Sequence, residues 1–286
     1  LEKLPGNKRK DPVPQAMDEK NDLRASFDQV ATLYEKARPG YPEALFEDIL
    51  SYSKIAADGR ILEIGCGTGQ ATLPLARRGY AMHCIELGAN LAAAAREKLR
   101  HQPRVQVSVG SFETFPLEED HYDLAVSGTA FHWIDPEIGY RKAARVLKPA
   151  GTLALFWNKH VQTDAGAEAW RSLQAVYGRI VPEMAKRFPE PLHPEAVPTP
   201  VKDEIDRARL FGEVTIIKYR WDVAYGAREY IELLGTYSDH LALEPGIRQE
   251  LLDGIEALIT TRFGGRMVKE YLTLLYLARR YERTCS

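Results

Sequence analysis

The sequence is poor in cysteine, in long apolar runs and in net charge, and each scarcity argues against a class of protein. Its three cysteines, Cys66, Cys84 and Cys285, have neither metal-ligand spacing nor the pattern of a disulfide framework. No apolar run approaches the roughly 20 residues that a membrane-spanning helix needs, and no secretory signal is visible. The formal net charge of −2 favours neither nucleic acid nor an anionic membrane as a partner. We therefore expect a cytoplasmic protein.

The remaining composition is that of a globular protein. The chain has 286 residues, of which 45% are hydrophobic and 27% charged, enough for one large α/β domain with an added subdomain. Residues 1–16 are rich in Pro, Lys and Arg and lack apolar periodicity. We expect a flexible extension over 1–20, consistent with a segment added for expression, and a native start at Met17. Its basic run at 8–10 is typical of a solvated tail, the alternatives being a nucleic-acid contact or a targeting signal.

Short apolar runs alternate with amphipathic helical stretches between residues 60 and 158. The predicted strands are 60–64, 80–86, 105–109, 122–127 and 151–157. The predicted helices between them are 70–78, 90–100 and 137–147. This alternation predicts βαβ units, and hence an α/β, Rossmann-like, mostly parallel sheet with helices on both faces. Right-handed crossovers bring the carboxyl ends of the strands to one edge, where ligands bind.

The second half of the chain is less regular. We divide the chain into a core over 21–158, including a lead-in helix, and a helical cap with closing strands over 159–286. The predicted helices of the second half are 165–188, 227–234 and 246–261, with a proline-rich loop over 189–200. Residues 213–223 alternate like a strand, whereas 268–281 fit a strand or a helix by periodicity. We expect 213–223 and 268–281 to form a closing antiparallel hairpin.

A glycine-rich segment, Glu63-Ile-Gly-Cys-Gly-Thr-Gly-Gln70, follows the first strand and opens a helix. Glycines suit a sharp turn at which a ligand approaches the backbone closely. The spacing Gly65, Gly67, Gly69 differs from the Gly-x-Gly-x-x-Gly of pyrophosphate loops. A carboxylate at Glu63 would repel a pyrophosphate and attract the ammonium of an amino-acid ligand. These features favour S-adenosylmethionine over a nicotinamide cofactor.

Glu86 ends the second strand, where Rossmann-like folds place an acid that binds ribose. A carboxylate accepts hydrogen bonds from both ribose hydroxyls. The alternative for Glu63 and Glu86 is an exposed surface position.

The segment Ile61–Gly69 resembles the signature loop of class I S-adenosylmethionine-dependent methyltransferases. Further segments match in order: Glu86-Leu87, Gly110–Glu113, Ser127–Trp133 and Leu147–Gly151. Upstream, Phe27, Tyr34 and Arg38-Pro-Gly-Tyr-Pro42 resemble the lead-in helix of the type 11 group, and the trans-aconitate methyltransferase-like members of that group are the most similar. The resemblance covers residues 27–158 and implies a seven-stranded sheet.

The resemblance also implies roles for individual residues. Glu63 and the 65–69 backbone would hold the methionine portion of the cofactor, Glu86 the ribose and Leu87 the adenine. Relatives often carry Asp at the position of Ser111, and Phe112 is as well explained by core packing. The implied cofactor-binding positions are Tyr34, Arg38, Glu63, Gly65, Cys66, Gly67, Gly69, Gln70, Glu86, Leu87, Ser111, Phe112, Ser127 and Gly128.

The acceptor side of the site centres on His132 and Trp133, just after the fourth strand. His132 is a candidate general base; it equally fits a residue that lines the site, orients a loop or caps the next helix. Trp133 either forms an apolar wall for the substrate or anchors the loop. Arg38 is a candidate contact for a carboxylate of the cofactor or substrate, or a surface residue. The expected partner is a small-molecule acceptor. The aromatic residues of the second half that are candidates to line its pocket are Trp170, Tyr177, Trp221, Tyr225, Tyr230 and Tyr237.

Other functions fit the sequence less well. Methyltransferases of bases in nucleic acids usually carry an Asn/Asp-Pro-Pro-Tyr/Phe loop where this chain has 127–130, so no nucleic-acid partner is expected. Asp135 lacks accompanying acids, so we predict no metal site. A nicotinamide-dependent oxidoreductase conflicts with the glycine spacing. A non-catalytic S-adenosylmethionine-binding protein on the same fold stays open, because fold alone does not settle activity.

Overall fold

Seven strands form one sheet in the computed structural model, which describes residues 37–187 and 189–282. The predicted extension over 1–20, the lead-in residues Phe27 and Tyr34, and Cys285 lie outside the described residues. The strands are β1 (Arg60–Ile64), β2 (Ala81–Glu86), β3 (Val105–Val109), β4 (Tyr122–Gly128), β5 (Leu147–His160), β6 (Thr215–Gly226) and β7 (Arg266–Arg279).

The strand order is β3-β2-β1-β4-β5-β7-β6. Strands β1 to β5 pair in parallel, and β7 runs antiparallel to both neighbours. This confirms the predicted Rossmann-like, mostly parallel sheet. Strands β6 and β7 pair as expected, but they form no hairpin, because residues 227–265 between them are mostly helical.

Helices cover both faces of the sheet. The bounds of the longer ones are α1 (Glu43–Ser53), α2 (Thr72–Arg77), α3 (Ala89–Lys98), α4 (Pro136–Val146), α5 (Ala167–Ile180), α6 (Pro182–Arg187), α7 (Pro200–Ala208), α8 (Ala227–Leu234), α9 (Ser238–Leu241) and α10 (Pro245–Arg262). Side chains of α1, α2 and α3 pack on one face of the sheet, and those of α4 and α7 on the other. Successive strand residues point to opposite faces: Leu62 and Ile64 pack beneath α4, and Ile61 beneath α1.

A third hydrophobic cluster joins α5, α8 and α10 to the first half of β7. Because β7 is antiparallel to β5, its first half lies beside the carboxyl end of β5, with His160 opposite Tyr271. The cap helices therefore lie at the carboxyl-end edge of the sheet, as predicted.

Two segments differ from the prediction. Residues 165–188 contain two helices, α5 and α6, separated at Val181, because Pro182 disfavours helical geometry in the residue before it. The proline-rich stretch runs into a helix, α7, whose first residue is Pro200. Proline at the first helical position is favourable, since its missing N–H has no partner there. None of the described helices combines the length and apolar character needed to cross a membrane.

Candidate active site

A cavity of about 270 Å³ opens at the carboxyl-end edge of the sheet, between β1, β2 and β4. Most of the residues predicted to bind the cofactor line it. They are Arg38, Glu63, Gly65, Cys66, Gly67, Gln70, Glu86, Leu87, Phe112 and Gly128. His132 and Trp133 line the same cavity. The structure thus brings residues between positions 38 and 134 together around one cavity.

The turn after β1 needs glycine at Gly65. Its φ of +71° belongs to the left-handed region, and a Cβ there would lie 2.5 Å from the Cβ of Ala130. The N–H of Gly65 donates to the carbonyl of Ile85 at 2.8 Å, which ties the turn to the end of β2. A side chain at this position would strain the backbone and push away the loop after β4.

Glu86 is held by two backbone amides. Its Oε2 accepts from the N–H of Gly67 at 2.8 Å, and its Oε1 from the N–H of Gly88 at 2.9 Å. The residue is 8% exposed and lines the cavity, so the exposed-surface alternative is wrong. A carboxylate fixed in this way retains lone pairs for a ligand in the cavity.

Glu63 is almost fully buried, at 1% exposure, and is not a surface residue either. The Sγ of Cys84 donates to its Oε2 at 3.7 Å, and no described cation forms an ion pair with it. Burial raises the pKa of the Glu63 carboxyl to about 7, with a smaller contribution from the charge of Glu86. A buried carboxyl without a cation is suited to an ammonium that arrives with a ligand.

Three predicted cofactor contacts do not line the cavity. Ser127 is fully buried, and its hydroxyl donates to the carbonyl of Ile64 at 2.7 Å, joining β4 to β1. Ser111 donates instead to the carboxylate of Glu113. Gly69, with a φ of +83°, lies behind the cavity, where a Cβ would meet Leu99. Tyr34 lies outside the described residues. Phe112 both lines the cavity and packs in the core.

The sequence analysis assigned no role to several residues of this cavity. The hydroxyl of Tyr41 pairs with Oγ1 of Thr129 at 2.9 Å across 88 positions of the chain. Thr129 has a φ of +55°, which is strained for a β-branched residue and typical of functional loops. The buried Oγ1 of Thr68, in the glycine loop, has no hydrogen-bond partner among the described residues. Tyr41, Thr68 and Thr129 each lie in a segment that resembles the methyltransferase family, but nothing in those segments indicates the contact between Tyr41 and Thr129.

Arg38 links the cavity to the cap. Its Nε donates to Oγ1 of Thr236 at 2.8 Å, its Nη2 donates to the Thr236 carbonyl at 3.0 Å, and its guanidinium lies 4.4 Å from the centre of the Tyr237 ring. The side-chain amide of Gln70 donates to the Arg38 carbonyl at 3.1 Å. These contacts connect the glycine loop with α8 and the start of α9, so Arg38 is not a surface residue.

His132 is fixed by Trp157. The indole Nε1 of Trp157 donates to Nδ1 of His132 at 3.0 Å. An indole N–H can only donate, so Nδ1 carries no proton, and the neutral ring carries its proton on Nε2. His132 does not cap α4. That role belongs to Asp135, whose carboxylate accepts from the N–H of Glu137 at 2.8 Å.

The comparisons with known proteins bear on this arrangement. Residues 62–155, which include the glycine loop, Glu86 and His132, match the family described as methyltransferase domain. Over 243 residues the chain is 27% identical to an uncharacterized methyltransferase of Mycobacterium tuberculosis, covering 85% of this chain and 88% of that one. The chain is an S-adenosylmethionine-dependent methyltransferase. Its strand order and domain match place it in class I.

Other similarities of this methyltransferase are more limited. Over 143 residues it is 32% identical to malonyl-[acyl-carrier protein] O-methyltransferase of Geobacter sulfurreducens, covering 48% of this chain and 53% of that one. The YcgJ protein of Bacillus subtilis has a TM-score of 0.53 and 16% identity, covering 84% of this chain and 100% of that one. These values show a shared fold.

A structure solved with product cofactor gives a similar result. Phosphoethanolamine N-methyltransferase 2 of Haemonchus contortus, in complex with phosphomonomethylethanolamine and S-adenosylhomocysteine, has a TM-score of 0.51 and 16% identity, covering 89% of this chain and 58% of that one. This likeness, too, shows the fold alone.

A second cavity of the methyltransferase, of about 710 Å³, adjoins the first. The two share Thr129, His132 and Ile134 as lining residues. The second cavity extends from these residues to Trp157, His160 and Tyr276 and reaches the proline-rich stretch after α6. His132 thus lines both cavities.

Proposed function

We propose that the methyltransferase methylates a small-molecule acceptor that binds in the second cavity, next to His132. The observation that carries this proposal is that Thr129, His132 and Ile134 line both cavities. A volume of about 710 Å³ falls within the range of ordinary small-molecule sites. The cap covers this edge of the sheet, which suits a small acceptor better than a macromolecule.

The first cavity is suited to S-adenosylmethionine, and we propose roles for its residues. Glu63 receives the ammonium, the backbone of Gly65 and Gly67 lies against the methionine portion, Glu86 accepts from the ribose hydroxyls and Leu87 packs on the adenine. The fit is supported by the buried carboxyl of Glu63, which forms no ion pair with a described cation, and by the hydroxyl of Thr68, which has no hydrogen-bond partner among the described residues. When bound, the cofactor would supply an electrophilic methyl group on a sulfonium, and transfer of that methyl group would leave a neutral thioether.

His132 acts, in this proposal, as a hydrogen-bond donor to the acceptor. Because Trp157 already occupies Nδ1, the neutral ring offers the N–H of Nε2, and taking up a proton would cost the hydrogen bond from Trp157. A donor can orient an oxygen nucleophile, and methyl transfer depends mainly on such positioning and on the exclusion of water. Tyr41 and Thr129, joined by their hydroxyls, also line the first cavity.

A carboxylate is the acceptor group that this arrangement suits best. Its oxygen is already nucleophilic, so no general base is required. Two further observations support it: the resemblance to trans-aconitate methyltransferase-like proteins, and the partial match to a relative named for O-methylation. Methylation of a macromolecule and cofactor binding without turnover are the competing functions.

The test is methyl transfer from radiolabelled S-adenosylmethionine to a panel of small di- and tricarboxylic acids and their amides. We expect label in a base-labile methyl ester with at least one acid and none with its amide. Transfer only to protein or nucleic acid in a cell extract would contradict the small-molecule proposal. Cofactor binding without transfer to any acceptor would favour the non-catalytic function.

A further inference from the structure

A third cavity, of about 500 Å³, lies under the cap between α5, α9, the carboxyl end of β5 and the start of β7. Four aromatics of the sequence analysis line it: Trp170, Tyr177, Tyr230 and Tyr237. Trp221 and Tyr225 are absent from its lining; Trp221 stacks on Tyr271 instead. The walls therefore combine aromatic rings with polar and charged groups, and the polar groups need an explanation.

Lys269, on β7, is the first of these groups. Its Nζ lies 5.4 Å from the centre of the Tyr230 ring and 5.3 Å from that of Tyr237. It makes no hydrogen bond or ion pair with any described residue, and the residue is half-buried beside these two rings. Burial, aided by the charge of Arg38, lowers the pKa of Lys269 to about 7. A half-buried ammonium whose described contacts are aromatic faces is stabilised further by a ligand that supplies the opposite charge.

The carboxylates around this cavity are engaged elsewhere. Asp239 accepts from the backbone N–H and from Nδ1 of His240, each at 2.9 Å, and these bonds help to hold the pKa of Asp239 below its usual range despite burial. Glu190 is exposed and accepts from the side-chain amide of Gln162 at 2.6 Å. Neither lies within ion-pair distance of Lys269. No described carboxylate therefore forms an ion pair with Lys269, although the charge of Asp239 partly opposes the fall in its pKa.

Another polar group of this cavity is the ring of His160, at the end of β5. Its Nε2 lies 3.2 Å from the hydroxyl of Tyr237. Burial, with the charges of Lys269 and Arg38, holds the pKa of His160 well below its usual range. His160 is therefore neutral at physiological pH and adds hydrogen-bonding capacity without further charge.

The position of this cavity connects it to catalysis. Arg38 lines both it and the glycine-loop cavity, and His160 lines both it and the cavity next to His132. A molecule that extends from His132 past His160 would bring its far end to Lys269 and Arg38.

We propose that Lys269, with Arg38 beside it, binds an anionic group of the methyl acceptor, a carboxylate or a phosphate, at the end remote from the methylated atom. This inference rests on the proposed function. It assigns to the cap a role in substrate selection: acceptors with a negative charge at this end are bound, and their neutral analogues are not.

The experiment is calorimetric titration of the chain, saturated with S-adenosylhomocysteine, with succinate, citrate, inorganic phosphate and the neutral succinamide. The variants are Lys269→Met, Lys269→Arg and Lys218→Met. Lys218 is an exposed lysine on β6 that lines none of the three cavities. Lys218→Met therefore removes the same charge as Lys269→Met at a position outside the cavities and serves as its control. Titration with S-adenosylhomocysteine alone checks each variant first.

We expect saturable binding of at least one anion and none of succinamide. Lys269→Met should weaken that binding by about tenfold or more, whereas Lys269→Arg and Lys218→Met should stay close to the parent chain. The choice between carboxylate and phosphate follows from which probe binds. The inference is overturned if the cofactor-loaded chain binds no anion at about 10 mM, or binds anions equally well after Lys269→Met. Failure to bind S-adenosylhomocysteine would instead refute the proposed function.

Discussion

The indole N–H of Trp157 donates to Nδ1 of His132 at 3.0 Å and so fixes which ring nitrogen carries the proton. The two residues come from different elements, β5 and the turn after β4, and only the folded sheet brings them together. A histidine held in this way is prepared to donate from Nε2. The same contact makes it a poor proton acceptor, because protonation at Nδ1 would break the bond with Trp157.

Removal of the imidazole should affect turnover and leave cofactor binding intact. We expect His132→Ala to lower kcat by about 10- to 100-fold, the effect of losing one hydrogen bond of 1–3 kcal/mol, with little change in affinity for S-adenosylhomocysteine. Steady-state kinetics and calorimetry measure the two effects. An unchanged rate with the preferred acceptor would remove His132 from the chemistry.

Two further variants distinguish donor from base. His132→Gln keeps an N–H donor near the position of Nε2 but cannot accept a proton in the same way, so it should retain most of the activity that His132→Ala loses. Trp157→Phe removes the fixed tautomer and should lower kcat without altering S-adenosylhomocysteine affinity. If His132→Gln is as inactive as His132→Ala, general-base catalysis is the better description.

Glu86 should contribute strongly to cofactor affinity. Glu86→Ala removes a carboxylate that also holds the N–H groups of Gly67 and Gly88. We expect the binding free energy of S-adenosylhomocysteine to weaken by about 1–3 kcal/mol, from the loss of charge-assisted hydrogen bonds. Glu86→Gln, which keeps one acceptor oxygen, should lie between. Equal affinity in all three proteins, measured by calorimetry, would refute the ribose assignment.

The buried carboxyl of Glu63 should make cofactor binding depend on pH. Its pKa in the free chain is about 7, and only the ionised form pairs with an ammonium. Affinity for S-adenosylhomocysteine should therefore fall as the pH drops below about 7, by at most about tenfold per pH unit. Titrations between about pH 6 and pH 8 measure this slope. Glu63→Gln should bind weakly with no such slope, and a sloping Glu63→Gln profile would assign the titration to another group.

The same carboxyl should reduce stability in the absence of ligand. A carboxyl whose pKa is raised on folding destabilises the fold increasingly as pH rises from its unfolded pKa of 4.5 towards about 7, and fully above that. At pH 8 we expect Glu63→Gln to be more stable than the parent chain, by up to about 3 kcal/mol, with the difference disappearing near the unfolded pKa. Thermal melts of the free proteins at both pH values test this.

Gly65 should tolerate no side chain. In Gly65→Ala the residue must keep a φ of +71° with its Cβ 2.5 Å from that of Ala130. We expect a loss of about 1–2 kcal/mol of stability from the backbone alone, more from the clash, and strongly weakened cofactor binding. Gly178→Ala is a matched control on the exposed side of α5, where a Cβ meets nothing within 4 Å. That change should stabilise the chain by about 0.5–1 kcal/mol.

Sequence reasoning predicted the strands of the core to within a few residues because each combines an apolar run with a turn signal at its end. It left 268–281 undecided between helix and strand, since that choice depends on pairing with β5 and β6, far away in the chain. It missed α7, although Pro200 at the first helical position and Val201 and Ile205 at a spacing of four were visible signals.

The residues of the site also differ in whether local sequence or distant contacts determine their positions. Glu63, Gly65 and Glu86 were predictable because a local motif places them at the ends of adjacent strands. The orientation of Ser127 was not predictable, because a strand motif does not reveal which way a hydroxyl points, and here it donates to the Ile64 carbonyl. The contacts Tyr41–Thr129 and Trp157–His132 join distant segments and had no signature in the sequence.

The most direct measurement is isothermal titration of the purified chain with S-adenosylhomocysteine, with NADH as the control ligand and Glu86→Ala as the control protein. We expect saturable binding of S-adenosylhomocysteine with a Kd of about 1 μM, or −8 kcal/mol, weakened in Glu86→Ala, and no heat from NADH. Binding of NADH, or S-adenosylhomocysteine binding that is indifferent to Glu86, would contradict the assignment of the glycine-loop cavity as the cofactor site.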